Sequence, residues 1–158
     1  FGALHFNHCF PFFKSHIHNL QHGFIQGRST VTQLLTVYHD MLDTLASGQE
    51  VDVIHLDFSK AFDKVSHNLL LNKFNGHGIG GPLLQWFASY LSHTCQRVML
   101  EGEFSDWLPV TSGVPQGSIL GPLLFIIYAN DMPYCLSGES KLALFADDSK
   151  LFRSMSSR

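Results

Sequence analysis

Residues 141–153 read KLALFADDSKLFR, two short apolar runs separated by a pair of aspartates. The pattern predicts two β-strands, Lys141 to Ala146 and Ser149 to Arg153, joined at the aspartates. A further strand is predicted at residues 51–57, VDVIHLD, because apolar and β-branched residues alternate there up to Asp57. Carboxylates therefore stand at the ends of the predicted strands.

The chemistry of the chain depends on whether these carboxylates meet. Asp57 and Asp147 are 90 residues apart in the sequence, but they converge if their strands are neighbours. Clustered carboxylates repel one another, so a hard cation such as Mg²⁺ commonly neutralises them. Two such ions about 4 Å apart can stabilise the attacking and leaving oxygens of phosphoryl transfer. The alternative is structural, since Asp-Asp pairs often form solvated turns and an Asp after a strand often caps a helix.

Two further features favour a functional site. Phe62 lies five residues beyond Asp57, and the loop SGVPQGS at residues 112–118 lies between the acidic positions in the sequence. Glycines at 113 and 117 let the backbone approach a ligand closely, and Gln116 offers both a donor and an acceptor. The ordered combination points to a functional site more strongly than any single element does.

The rest of the chain predicts a mixture of helices and strands. Ser29 or Thr30 can cap a helix whose apolar positions recur with helical spacing up to Leu45, and Gly48 ends it. Further helices are predicted over Ala61–Leu71 (with a break near Ser66), from Pro82 to Leu91 and over Pro122–Asn130; a hairpin is predicted from Gln96–Leu100 and Phe104–Val110. Without a strict βαβ repeat, this order predicts an α+β fold.

Composition limits the class of protein. The 158 residues fit one domain, and 45% apolar residues exclude a disordered chain. The longest apolar run, residues 123–129, is too short to span a bilayer, so no membrane partner is expected. Three widely spaced cysteines exclude a disulfide scaffold. The net charge of −3 argues weakly against nucleic acid.

The N-terminal residues have an unusual composition. Residues 1–24 hold six of the 14 phenylalanines and five of the 10 histidines. A metal site built from His5, His8 and Cys9, or from His16 and His18, is disfavoured because the spacings match no closed ligand set. Residues 1–20 are therefore interpreted as an unassigned arm. Without a signal segment, we expect a cytoplasmic or nuclear protein that is not secreted.

Four blocks of sequence follow one another in a fixed order. They are QHGF with GRST (residues 21–24 and 27–30), LDFSKAFDKV (56–65), SGVPQGSILGP (112–122) and FADD (145–148). In this order the chain resembles the reverse transcriptases of non-LTR (LINE-type) retrotransposons, over about residues 21–153. The resemblance implies a right-hand polymerase fold in residues 21–158: a palm of antiparallel sheet with packed helices and partial fingers, with the thumb absent.

The resemblance also implies an activity and a set of partners. The expected protein is an RNA-directed DNA polymerase, which adds deoxynucleotides from their triphosphates to the 3′-OH of a DNA primer on an RNA template. Asp57, Asp147 and Asp148 would be the catalytic carboxylates and would bind two Mg²⁺ ions. The backbone carbonyl of Phe58 would be a further ligand.

Other site residues follow from the same resemblance. Phe62 would place an aromatic ring against the sugar and exclude a 2′-hydroxyl, and the alternative is that Phe62 packs in the core. Gln116 and Gly117 would lie near the incoming nucleotide, and Arg28 would contact a phosphate. An RNA-templated RNA polymerase is disfavoured because Phe62 would block a ribose hydroxyl.

Departures from the family pattern leave a second hypothesis open. Ile25-Gln26 stands where the family often has Arg-Pro, and Ser66 stands where proline is common. The thumb and endonuclease regions of a longer polyprotein are expected to lie outside this chain. The alternative function is therefore a truncated, non-catalytic relict that keeps the motifs without polymerising, and we expect the isolated chain to be inactive or very weak.

Overall fold

The computed structural model describes residues 10–155. After the helical residues 10–14, the elements in chain order are α1 Thr30–Ala46, β1 Glu50–Leu56, α2 His67–Gly76, α3 Gly81–Leu91, β2 Cys95–Gln96, β3 Met99–Leu100, β4 Glu103–Phe104, β5 Leu108–Pro109, α4 Leu120–Ala129, a 3₁₀ turn Met132–Cys135, β6 Lys141–Phe145 and β7 Asp148–Met155. Helices and antiparallel strands are mixed, as the α+β prediction requires.

The central sheet has three antiparallel strands in the order β1-β7-β6. Strand β7 lies in the middle and pairs with both neighbours: Leu56 is opposite Ser149, and Phe145 is opposite Asp148. The strands predicted at residues 51–57 and on either side of the aspartates are therefore confirmed to within two residues. Asp148, which was assigned to the connection, is the first residue of β7.

Residues 20–22 extend this sheet beyond β6. Gln21 forms a parallel bridge with Leu144. The N–H of His22 donates to the carbonyl of Leu144 at 2.9 Å, and the N–H of Leu144 donates to the carbonyl of Leu20 at 3.2 Å. The sequence predicted no strand here, because so short a segment shows no alternation of apolar and polar residues.

The main core lies among α2, α3 and α4. Phe74 and Phe87 face each other with their ring centroids 4.5 Å apart, and Phe13 contacts both at 5.3 and 6.4 Å. Eight of the ten residues of α4 are buried, which confirms the predicted buried helix at residues 122–130. Although α4 is apolar throughout, no helix within residues 10–155 is long and apolar enough to cross a membrane.

Phe13 belongs to the segment of residues 1–20 that was interpreted as an arm. Its side chain is fully buried, and Phe10 and Ile17 pack against the same core. His5, His8 and Cys9, considered for metal binding, lie outside the described residues. The division of the chain at residue 20 stays a prediction, but Phe13 is a core residue to which the sequence analysis gave no role.

Helix α1 begins with the predicted cap. The hydroxyl of Ser29 accepts the N–H of Thr32 at 3.1 Å, and the Thr32 hydroxyl accepts the N–H of Ser29 at 2.8 Å. Each polar group therefore satisfies a backbone donor that a helix end would leave unpaired.

The apolar residues of α1 are mostly exposed. The helix buries only Gln33 and Val37, and Val37 packs on Ala143 and Phe152 of the sheet. Met41 packs against the same cluster. The other large apolar side chains of the helix are exposed; they are Val31, Leu34, Leu35, Tyr38, Leu42 and Leu45. Apolar spacing predicted the helix correctly but not the face that meets the sheet.

The segment after β1 differs from the predicted helix. Residues 59–64 form turns, and α2 begins only at His67, after Ser66 accepts the N–H of Leu69. The N–H of Val114 donates to the carbonyl of Phe62 at 2.9 Å. This carbonyl is therefore used by a distant loop instead of by a helical turn, and the predicted helix is wrong before residue 67.

The hairpin predicted at residues 96–110 is present but interrupted. β2 pairs with β5 and β3 pairs with β4, while residues 97–98 and 105–107 lie between the two ladders. The Arg97 guanidinium lies 3.8 Å from the ring centroid of Phe104 and 4.6 Å from that of Trp107. The turn at Glu101 and Gly102 has positive φ at both residues, which matches the twist of a tight hairpin.

Replacing Phe13 tests whether this residue is part of the core. We expect Phe13→Ala to lower the free energy of unfolding by about 3–5 kcal/mol, the range for a buried phenylalanine. Phe12→Ala is the matched control, because the neighbouring ring is 41% exposed. Urea denaturation of both variants measures the difference. Equal losses would show that Phe13 does not anchor the segment.

Candidate active site

Three carboxylates lie at one end of the central sheet, which is called the carboxylate end from here on. Asp57 directly follows Leu56, the last residue of β1. Asp148 begins β7, next to the Ser149 that pairs with Leu56, and Asp147 lies in the two-residue turn between β6 and β7. Asp57 and Asp148 are exposed, and Asp147 is half-buried. Strand pairing therefore brings to one edge the residues that the sequence singled out.

The donor chemistry of this end suits a hard divalent cation, because carboxylate oxygens are the protein ligands that Mg²⁺ takes. Among residues 10–155, however, no three His, Cys, Asp or Glu side chains form a group that could hold a metal ion. The carboxylates therefore suit Mg²⁺ in ligand type and in the positions of their backbones. Their side chains do not form a closed set of ligands, so the metal site stays a prediction.

The turn that carries Asp147 has an unusual backbone. Ala146 has φ +54°, a left-handed conformation that is unfavourable for any residue with a Cβ atom. The side-chain oxygen of Gln21 accepts the N–H of Ala146 at 2.9 Å and the N–H of Gly23 at 2.8 Å. A Cβ atom on Gly23 would lie 2.3 Å from the nitrogen of Ala146, so only glycine allows this approach.

Gln21 and Gly23 belong to the first of the four blocks of sequence, but no role was predicted for either residue. Their contact with the turn joins residues 125 positions apart. No local pattern of polarity or spacing signals such a contact.

The loop at residues 112–118 is held against the segment after β1. The Ser112 hydroxyl donates to the carbonyl of Asp63 at 2.9 Å, and the N–H of Gly113 donates to the carbonyl of Val65 at 2.8 Å. A Cβ atom on Gly113, which has φ +92°, would lie 2.8 Å from the carbonyl oxygen of Asp63. The glycine noted in the sequence thus permits a close approach between two parts of the chain itself.

Phe62 is fixed by other aromatic rings. Its ring stacks on Phe125 with centroids 4.7 Å apart and an interplanar angle of 16°, and the ring of Phe24 meets it edge-on at 6.4 Å. The side chain is half-buried and packs against the main core. Core packing, the alternative weighed for Phe62, is therefore observed, and the role in sugar selection stays a prediction.

Gln116 and Phe58, two further residues predicted to lie at the nucleotide, line two different clefts. Gln116 and Gly117 are exposed, and Gln116 lines a cleft of about 550 Å³ together with Lys60 and Lys64. A second cleft of about 480 Å³ is lined by Asp57 and Phe58.

Arg28 is engaged with the backbone. One of its guanidinium nitrogens donates to the carbonyl of Asn19 at 2.8 Å and to that of Gln21 at 2.5 Å. The structure therefore shows Arg28 supporting the segment that carries Gln21, while its proposed phosphate contact stays a prediction.

Comparison with known proteins identifies the family to which the chain belongs. The family described as Reverse transcriptase (RNA-dependent DNA polymerase) matches residues 5–158. The chain belongs to the reverse transcriptase family. The match includes most of residues 1–20, where the sequence analysis found no resemblance.

Relatives of this reverse transcriptase domain come from transposons. In Drosophila melanogaster, the probable RNA-directed DNA polymerase from transposon X-element is 39% identical over 131 residues, 81% of this chain. The RNA-directed DNA polymerase from mobile element jockey is 35% identical over 118 residues, 74% of this chain. A Pol polyprotein from the type-1 retrotransposable element R2 of Popillia japonica is 26% identical over 110 residues, 70% of this chain. The predicted LINE-type origin is confirmed.

The chain spans only a small part of these relatives. The matched region covers 14% of the X-element protein, 13% of the jockey protein and 18% of the R2 protein. The relatives are therefore much longer than this domain.

A solved structure confirms the fold. The chain superposes on apo telomerase from Candida tropicalis, truncated from its C-terminal domain, with a TM-score of 0.58 and 17% identity, covering 78% of this chain and 28% of the telomerase chain. At this identity the likeness shows the fold alone, which is that of a polymerase palm.

Two glycines of the loop allow a matched test of its packing. Gly113 and Gly117 both have positive φ, but only Gly113 is crowded, since nothing lies within 4 Å of a Cβ atom on Gly117. We expect Gly113→Ala to destabilise the domain by about 1–3 kcal/mol more than Gly117→Ala, because overpacking adds to the shared backbone strain. Thermal or urea unfolding measures both, and equal effects would contradict the close approach.

His22 makes the stability of the domain depend on pH. Burial lowers the pKa of His22 below its usual value, and the nearby Arg28 guanidinium lowers this pKa further. The unfolded chain then binds a proton more readily than the folded chain, so stability falls as the pH drops below about 6.5.

Replacement of His22 should weaken this dependence. Between pH 7 and about pH 5, we expect the free energy of unfolding of His22→Gln to fall less steeply than that of the wild-type chain. His39→Gln is the control, because the His39 side chain is 77% exposed. An unchanged slope in the His22 variant, measured by denaturation at several pH values, would rule out this contribution.

Proposed function

We propose that this chain carries the polymerising centre of an RNA-directed DNA polymerase, which adds deoxynucleotides to a primer 3′-OH. The observation that carries the proposal is the placement of Asp57, Asp147 and Asp148 at one end of the central sheet by strand pairing. Family membership supports the reaction class, and the transposon relatives, which are named as RNA-directed DNA polymerases, support RNA as the template.

Asp57, Asp147 and Asp148 would hold two Mg²⁺ ions, with the backbone carbonyl of Phe58 as a further oxygen ligand. When bound, such ions stabilise the attacking and leaving oxygens of phosphoryl transfer. The chain supplies the negative charge that attracts the ions. It also supplies the paired strands, which limit how far the carboxylates can move apart.

Phe62 would select the sugar of the incoming nucleotide. Stacking on Phe125 and contact with Phe24 fix the orientation of its ring. A half-buried ring held in this way cannot turn aside for an extra hydroxyl without losing aromatic packing. This rigidity supports discrimination against ribonucleotides.

The lysine-lined cleft would face the phosphates of the substrates. Lys60 and Lys64 lie beside Gln116 at its wall, and Gly117 is the next residue of the same loop. Phosphate groups attract lysine, and exposed backbone N–H groups of a glycine-rich loop can donate to them. Template, primer and deoxynucleoside triphosphates are therefore the proposed partners. Other regions of a longer polyprotein would supply further contacts with the duplex.

Primer extension tests the proposal. We compare the chain with Asp147→Asn, Asp148→Asn on a homopolymer RNA template with a DNA primer and Mg²⁺. The isolated chain is expected to be weak, and any incorporation that it shows should fall by at least about a hundredfold in this variant, the scale found when a group that stabilises transition-state charge is removed. The matched control is Asp43→Asn, Asp106→Asn, which makes the same change in charge at two exposed residues.

The control variant should keep the activity of the wild-type chain. Equal incorporation by the carboxylate variant and the wild-type chain would contradict the proposal, and a complete lack of incorporation by both would favour the non-catalytic relict. Titration with Mn²⁺ adds a reading that does not need turnover, since the carboxylate variant should lose the binding that the control retains.

A further inference from the structure

The side chain of Gln21 is almost completely buried, at 1% exposure, directly behind the turn between β6 and β7. Its oxygen accepts two backbone N–H groups, those of Gly23 and Ala146. These two donors fix the orientation of the amide, and its nitrogen is left buried without a hydrogen-bond partner. The residue therefore combines a specific contact with an unfavourable unpaired donor.

The contact is made at the strained residue of the turn. Ala146 has φ +54°, and a non-glycine residue keeps such a conformation only when its surroundings enforce it. The hydrogen bond from Ala146 to Gln21 and the close approach of Gly23 provide this enforcement. Asp147 and Asp148 come next in the chain, so the direction in which they leave the turn depends on the conformation of Ala146.

Gln21 is itself held by backbone contacts. It forms the parallel bridge with Leu144, and its own carbonyl accepts a hydrogen bond from Arg28 at 2.5 Å. The neighbouring His22 bonds to the Leu144 carbonyl. The side-chain oxygen that accepts the Ala146 N–H therefore belongs to a residue whose backbone is fixed in the sheet.

We infer that Gln21 is a positioning residue of the active site: by binding the N–H of Ala146 it holds Asp147 and Asp148 in the geometry needed for catalysis. That this positioning serves catalysis rests on the proposed function. The hydrogen bond and its effect on the turn are independent of it.

Gln33 provides a matched control. It is a second buried glutamine, at 2% exposure, and its amide nitrogen is also without a partner. Its oxygen lies 3.4 Å from the amino group of Lys150 and accepts no backbone N–H of the turn. Gln21→Met and Gln33→Met thus each remove one buried side-chain amide, but only Gln21→Met removes the acceptor for the Ala146 N–H.

Amide hydrogen exchange measures the turn directly. In Gln21→Met we expect the Ala146 amide to exchange about tenfold faster than in the wild-type chain, the scale of one lost hydrogen bond. In Gln33→Met the Ala146 amide should exchange faster only to the extent that the whole domain is destabilised. Gln21→Glu keeps an oxygen acceptor and should restore the protection of Ala146. If Gln21→Met does not fold, the wild-type and Gln21→Glu chains decide the question, because an unprotected Ala146 amide in either one overturns the inference.

Mn²⁺ titration measures the consequence for the carboxylates. We expect Gln21→Met to weaken Mn²⁺ binding by roughly tenfold, as replacements of groups that orient metal ligands do, while Gln33→Met leaves it unchanged. Normal Mn²⁺ affinity in Gln21→Met would overturn the positioning role. If Asp147→Asn, Asp148→Asn binds Mn²⁺ as well as the wild-type chain, the proposed function fails instead, and the exchange of Ala146 still decides whether Gln21 holds the turn.

Discussion

The pairing of β7 with β1 on one side and β6 on the other is the constraint on which the candidate site depends. Each aspartate belongs to, or directly adjoins, one of these strands, and none is held in place by a hydrogen-bonded side chain from another element. If β7 slipped by one residue against β1, every side chain of the slipped strand would change faces. Asp148 would then point away from Asp57. The observed register is set by the ladder itself, in which Leu56 lies opposite Ser149 on one side of β7 and Phe145 lies opposite Asp148 on the other.

Two close contacts between distant backbones complete the site. Gly113 lies against Asp63, and Gly23 lies against Ala146, each at a distance that leaves no space for a Cβ atom. These contacts join the four blocks of sequence in pairs, the second block to the third and the first to the fourth. A glycine in such a place is required by the neighbouring chain, even where its own φ is ordinary, as it is for Gly23. The blocks thus act as parts of one packed arrangement around the ends of the strands.

Sequence reasoning succeeded where a local pattern carries the information. Alternation predicted β1, β6 and β7, and all-round apolarity predicted the buried helix α4. It failed where a distant partner decides the outcome. The predicted helix from Ala61 is replaced by turns because the carbonyls of Phe62 and Val65 bind the loop at 113–114. In α1, the buried face contains the polar Gln33 while Leu35 is 64% exposed, which a rule based on hydrophobicity cannot anticipate. The roles of Gln21 and Phe13 were missed for the same reason.

A net charge of −3 does not by itself decide which partners the chain binds, because charge acts over short distances. In physiological salt, exposed charges are screened beyond roughly 8–10 Å. Lys64 lines one cleft with Lys60 and Gln116 and another with Asp57 and Phe58, so both signs of charge occur close together in a way that the sum over the chain conceals. A triphosphate with its cations carries both signs of charge, so lysines suit its phosphates and carboxylates suit the cations. An acidic total is thus compatible with nucleotide binding when the acidic groups are themselves gathered at the site.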